Sequence, residues 1–116
     1  MPGNYTFRYL PIAQSDLIGI FDYIAQDSLQ RALVFVERLD ERIGLLEQQP
    51  LLGRVLRNAK LQEYGYRVLI VESYNVFYIV RGRTIEIHRV VHGSRNLYRL
   101  IIVKFSAFPH DVCTLP

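Results

Sequence analysis

One cysteine, Cys113, one methionine and no tryptophan occur in the 116 residues. A lone thiol cannot build an internal disulfide framework, so packing must hold the fold, and a reducing, cytoplasmic setting is expected. The longest apolar runs, such as Leu100 to Val103, fall far short of the ~18 residues that cross a bilayer, so no membrane role is expected. The start, MPGNYTFRYLP, lacks the charged opening and apolar segment of a signal peptide, and none is expected. There is no glycine-rich phosphate loop, no GxSxG elbow and no paired-carboxylate motif, which leaves those enzyme classes without support. Only three histidines are present. His88 and His92 are four apart, which on a strand separates them by ~13 Å, too far for one ion. No metal and no cofactor are expected.

What is present is a hydrophobic half, enough to bury the core of one domain and too short a chain for two. The charge is uneven. Residues 1 to 50 carry four arginines against seven carboxylates, a net of −3, while residues 51 to 116 carry ten basic groups against four acids, a net of +6. Twelve of the fourteen basic residues are arginine, whose planar fork suits phosphates and carboxylates. The second half therefore suits nucleic acid or an acidic protein partner, or simply presents a solvated arginine surface.

Tyr5, Phe7 and Tyr9 alternate with Thr6, Arg8 and Leu10, the pattern of a half-buried strand that Pro11 stops. From Ala13 the spacing of Ala13, Leu17, Ile20 and Ile24 lines one face of a helix to about Gln26. Ser28 is placed to cap a second helix whose inner stripe is Ala32, Phe35, Leu39, Ile43 and Leu46, ending before Pro50. Residues 54 to 65 show no clear period and read as a basic loop. Tyr66 to Val71, Val76 to Val80 and Thr84 to Val91 read as strands, with a reversal over Glu72 to Asn75 and a type II′ turn at Gly82-Arg83. Ser94 is placed to cap a short helix from Arg95 to about Ile101. The expected fold is α+β, in the order β-α-α-β-β-β-α, with a two-helix hairpin packed on one face of an antiparallel-rich sheet.

Several side chains in this frame can carry chemistry. Arg67 sits inside an apolar strand, so it must face a groove, lie at the sheet edge, or pair with a carboxylate such as Glu86. Arg89 alternates with Ile85, Ile87 and Val91, and so either borders the surface of Arg67 or is a solvated strand arginine. His92, Arg95, Tyr98 and Arg99 crowd the corner after the last strand. Arg54, Arg57 and Lys60 make the connector basic, and Tyr64 and Tyr66 are either base-stacking or ordinary strand residues.

Taken in order, YTFRYLPIAQSDLIGIFDYIAQ, LLEQQPLLGR, EYGYRVLIVESYNVFYIV and TIEIHRVVHGSR resemble the strand, helix endings, sheet and corner of the RelE/ParE superfamily of toxins. The resemblance covers residues 5 to 100. It divides the chain into a toxin domain, 1-101, and a C-terminal extension, 102-116. It implies the toxin of a type II toxin–antitoxin pair, neutralised by a cognate antitoxin.

Its two branches imply different targets. The ParE-like branch, which the long paired helices and the HGSR corner favour, implies inhibition of DNA gyrase. The RelE-like branch implies a ribosome-dependent mRNA endoribonuclease, with Arg67, His92, Arg95 and Tyr98 as its catalytic set. Arg54, Arg57, Lys60 and Arg89 are then candidates for contact with nucleic acid or target. Phe21, Leu33 and Val36, off the inner stripes, are candidates for antitoxin binding. Either a homodimer or a toxin–antitoxin hetero-oligomer is compatible with this reading. Leu100 to Val103, Phe105 and Phe108 are apolar beyond the matched domain, and their burial over the core or in a subunit contact is expected.

Overall fold

A computed structural model describes residues 5–57 and 59–93. The expected helix from Arg95 and the apolar tail lie outside the described residues. Strand β1 (Thr6–Tyr9) runs into helix α1 (Pro11–Asp27). The helix begins two residues before the periodicity suggests, because Pro11 occupies its first turn, where a missing N–H costs nothing and the fixed φ is already helical. Ser28 ends α1 and caps α2 (Leu29–Gly44) at once: its N–H donates to the Ile24 carbonyl, and its Oγ accepts the Arg31 N–H at 3.2 Å. A short 3₁₀ turn, Leu45–Glu47, follows.

The connector expected to be loop contains strand β2 (Arg54–Val55) and a one-turn helix, α3 (Ala59–Glu63). Neither is long enough to show a period; β2 exists through pairing with Val68 and Arg67, and α3 buries only Leu61. Strands β3 (Arg67–Val71), β4 (Tyr74–Arg81) and β5 (Thr84–His92) complete a five-stranded sheet, one more strand than expected, in the order β1-β5-β4-β3-β2. All neighbours are antiparallel except β1 and β5, which run parallel from Thr6↔Thr84 to Tyr9↔Ile87. The first reversal is tighter than Glu72 to Asn75, since Tyr74 already pairs with Val71 and Glu72 sits at φ 55°. Gly82 has φ 58° and Arg83 does not enter the left-handed region, as a glycine-first turn requires.

The helical hairpin covers one face of the sheet. Ala13, Phe35, Leu39, Ile43 and Leu46 meet Leu69, Val71, Val76, Tyr78, Ile85, Ile87 and Val90 in the main core. On the opposite face Tyr66, Val68, Phe77 and Ile79 form a second, smaller core closed by Leu61 of α3 and by Leu56. A bulge interrupts β5: Phe77 pairs with Arg89 and Tyr78 with Ile87, leaving His88 extra. It breaks the expected alternation, so Val90, not Arg89, follows Ile85 and Ile87 into the main core.

Candidate target-binding surface

The turn after α2 is clamped from the sheet. Tyr78 hydroxyl accepts the Gly53 N–H at 2.8 Å and donates to the Pro50 carbonyl at 2.9 Å. Arg67 Nη1 donates to the Gly53 carbonyl at 2.8 Å and reaches the Leu51 carbonyl at 3.4 Å. A Cβ on Gly53 would lie 2.6 Å from the Tyr78 ring, so only glycine fits beneath this clamp. Arg67 therefore neither pairs with Glu86 nor stands free in a groove; its guanidinium binds backbone carbonyls, a kind of partner no side-chain motif reveals.

Of the expected catalytic set, Arg95 and Tyr98 lie outside the described residues. The other two are not brought together. Register places Arg67 level with Tyr78 and Ile87, whereas His92 is level with Tyr74 and Val71. Two strand spacings and four residues of rise put their backbones roughly 16 Å apart. His92 meets the edge of the Tyr74 ring, 5.2 Å between centroids.

Arg89 is likewise not a solvated strand arginine. Among the described residues no strand lies beside β5 beyond Tyr9, and Asp16 of α1 takes that place. Its carboxylate accepts the Val90 N–H at 3.0 Å and two bonds from Arg89, Nε at 2.7 Å and Nη2 at 2.9 Å. The pair ties α1 to the sheet edge, with side chains only 13% and 14% exposed.

Arg54, Arg57 and Lys60 are exposed. Arg54 pairs with Val68 and so shares the face away from the hairpin. That face holds a cluster the sequence reading missed. Glu86, only 2% exposed, lies between Arg81, His88 and Arg8. Burial is the main influence on both ring groups beside it, raising the Tyr66 hydroxyl and lowering the His88 imidazole. Neutral His88 fits the network: its Nε2–H donates to Glu86 at 3.2 Å while Nδ1 accepts the Tyr66 O–H at 2.9 Å. The signal was present as a glutamate in an apolar strand, but its mates Arg8 and Arg81 belong to other strands.

On the hairpin, Leu33 is exposed while Phe21 and Val36 are half-buried, Val36 against the main core. Ile18, Tyr23 and Leu29, not singled out from the sequence, are more exposed than any of these three. An open cleft of about 840 Å³ runs between the hairpin and the far ends of β4 and β5, past Ile20, Tyr23, Phe35, Glu72 and Tyr74. Among the described residues no helix is long and apolar enough to cross a membrane.

This fold, a helical hairpin on a mainly antiparallel sheet, is shared with solved toxins. The chain is similar to the chromosomal ParDE system from P. aeruginosa, at 25% identity over 76% of this chain and 95% of that one, with a TM-score of 0.63. It is also similar to the RelBE2 toxin–antitoxin complex from Mycobacterium tuberculosis, at 26% identity over 79% of this chain and 99% of that one, with a TM-score of 0.53. No curated protein matches it in sequence. The family model described as the ParE toxin of the type II toxin–antitoxin system parDE matches residues 7–97. The class is thus the toxin of a type II toxin–antitoxin system, within the RelE/ParE superfamily. The chain belongs to the ParE toxin family.

Proposed function

We propose that this protein arrests growth by inhibiting DNA gyrase in the cytoplasm and is held inactive by a cognate antitoxin. The observation that carries the gyrase branch is the position of Arg67. A nuclease would need that guanidinium beside a proton-transferring group and turned toward a phosphate. Here it is bound to the carbonyls of residues 51 and 53, far from His92. An inhibitor that works by binding needs no such constellation. Arg54, Arg57 and Lys60 are the exposed basic groups assigned to target contact. The antitoxin is assigned to the outer face of the hairpin, at Leu33 with the edges of Phe21 and Val36, where it folds as it docks.

The RelE-like reading has one observation in its favour, the similarity to RelBE2. In that reading Arg67, His92, Arg95 and Tyr98 serve an endoribonuclease on the ribosome. Purified protein added in parallel to a gyrase supercoiling assay and to a translating extract read by primer extension separates the two. Loss of supercoiling with intact mRNA is the expected result. Cleavage within codons would overturn the gyrase assignment. Induced expression should stop growth, and co-expression of the neighbouring small gene should restore it. Replacing Phe21, Leu33 and Val36 together by Ser should weaken the antitoxin complex beyond any effect on folding; unchanged affinity in a folded variant places the antitoxin elsewhere.

A further inference from the structure

The face of the sheet turned away from α1 and α2 carries a cation cluster that the gyrase reading does not use. Glu86 stands opposite Arg8 in the parallel β1–β5 pair and beside Arg81 of β4. Its two oxygens are shared out. Arg81 Nε donates to Oε1 at 2.9 Å, His88 Nε2–H donates to the same oxygen at 3.2 Å, and Arg8 Nη2 lies 3.6 Å from Oε2. A carboxylate this deeply buried is tolerated only when cations and hydrogen bonds compensate its lost hydration. Here the compensation exceeds the charge: two permanent positive charges meet one negative charge, which fixes a net positive spot on the sheet.

The arginines are only partly used. Their side chains are 52% and 47% exposed. Arg81 spends Nε alone on Glu86, so both of its Nη groups lack a partner among the described residues, and Arg8 makes no hydrogen bond among them. Glu86 cannot move to follow solvent, since His88 and, behind it, Tyr66 hold it from the interior. Both forks are therefore held near one point with free donors facing out, the arrangement that suits a tetrahedral oxyanion.

The surroundings select among anions. None of the exposed large apolar side chains lies on β1, β4 or β5. A peptide partner needs apolar or aromatic anchors at the centre of its contact, whereas a phosphodiester backbone is bound by charge and hydrogen bonds alone. Exposed Arg83 adjoins the cluster at the β4–β5 turn, and Arg54 extends the same face at its far edge. The geometry points to a phosphate-binding site for a nucleic-acid backbone, in which Arg8 and Arg81 grip one phosphate and Glu86 sets their spacing. Arg8 and Arg81 are the contact residues; Glu86 and His88 are positioning residues.

The test uses the purified full-length chain and a short labelled DNA duplex, read by fluorescence anisotropy between about 50 and 200 mM salt. Wild type should bind with a steep salt dependence. Replacing Arg8 and Arg81 together by Gln should weaken binding about tenfold or more at the lower salt and, because one phosphate contact is lost, reduce the slope of log affinity against log salt by about one. Arg8→Gln alone should weaken binding by a smaller factor, since Arg81 still holds the phosphate, and, because Arg8 is half-exposed, leaves a folded protein for the measurement even if the double variant is unstable. Arg31→Gln and Arg42→Gln, which remove equal charge from α2, should leave affinity unchanged.

Three outcomes overturn the site: no binding by wild type, equal losses from the α2 variants, or displacement of the duplex by poly-L-glutamate as effective as by unlabelled DNA. The last would assign the site to acidic protein. Failure here leaves the gyrase result untouched, because supercoiling inhibition is read separately and can occur through protein contact alone.

Discussion

On the hairpin side of the sheet, side chains from two long helices and four strands interlock, and the outer helical surface is acidic: α1 and α2 together expose five carboxylates against three arginines. On the far side a one-turn helix covers part of the sheet, while the remainder presents Arg8, Arg81 and the buried Glu86. The same strands serve both faces, yet one face is sealed by apolar packing and the other is held by a charge network. The two faces divide the labour. The hairpin side supplies the stability and carries most of the exposed apolar side chains that suit a folding partner. The far side supplies the positive field that suits a polyanion.

Emptying each core in turn is expected to have the largest effect on stability. Leu39→Ala removes a fully buried side chain from a long helix that cannot collapse onto the cavity, and should cost ~3 to 5 kcal/mol. Leu61→Ala, equally deep but carried on the single turn of α3, should cost nearer ~2 kcal/mol, because that turn can settle inward. Urea unfolding of both variants checks the ranking; equal losses would mean the two faces share the burden.

Asp16→Asn attacks the tie between hairpin and sheet. It keeps an acceptor for the Val90 N–H but leaves the mostly buried Arg89 without its counter-charge, for an expected loss of ~1.5 to 3 kcal/mol. The same denaturation series would show it, and a loss near zero would mean that water replaces the carboxylate.

The smallest expected effect is a pH dependence confined to the far face. Burial holds the His88 imidazole below its ordinary range. The unfolded chain therefore takes up a proton before the folded one does. Stability is unaffected above the ordinary histidine pKa of ~6.5, and this contribution is lost as the pH falls through it. Melting temperature should drop between about pH 7 and pH 5, and His88→Gln should flatten that drop. A wild-type curve indistinguishable from that variant would assign the acid sensitivity elsewhere.

Much of the hairpin side was legible because helices repeat. Ala32, Phe35, Leu39, Ile43 and Leu46 recur at helical spacing, and every one is buried. The rest was not legible, for three separate physical reasons. β2 and α3 are too short to show a period. The bulge at His88 is one extra residue that no local preference marks, yet it turned Arg89 from an expected surface group into the partner of Asp16. Arg67 finds its partners in carbonyl oxygens that every residue possesses, and Glu86 adds to its near neighbours Arg81 and His88 a partner from the far end of the described chain, Arg8. The family resemblance, by contrast, rested on four segments in order, and such order survives errors in any one of them.

The parallel pairing of β1 with β5 carries a consequence for the timing of synthesis. Among the described strands, β1 is the first to leave the ribosome and its one neighbour is the last, 78 positions later at Thr6↔Thr84. At ~5 to 20 residues per second, that wait is roughly 4 to 16 s. Until then Arg8 has no Glu86 and β1 has no sheet to join, although α1 and α2 have long since emerged and can pair. A nascent chain thus offers the hairpin first and the charge network last. Truncation before Glu86 would leave a hairpin without its polyanion face, separating in time the two surfaces that the finished molecule holds back to back.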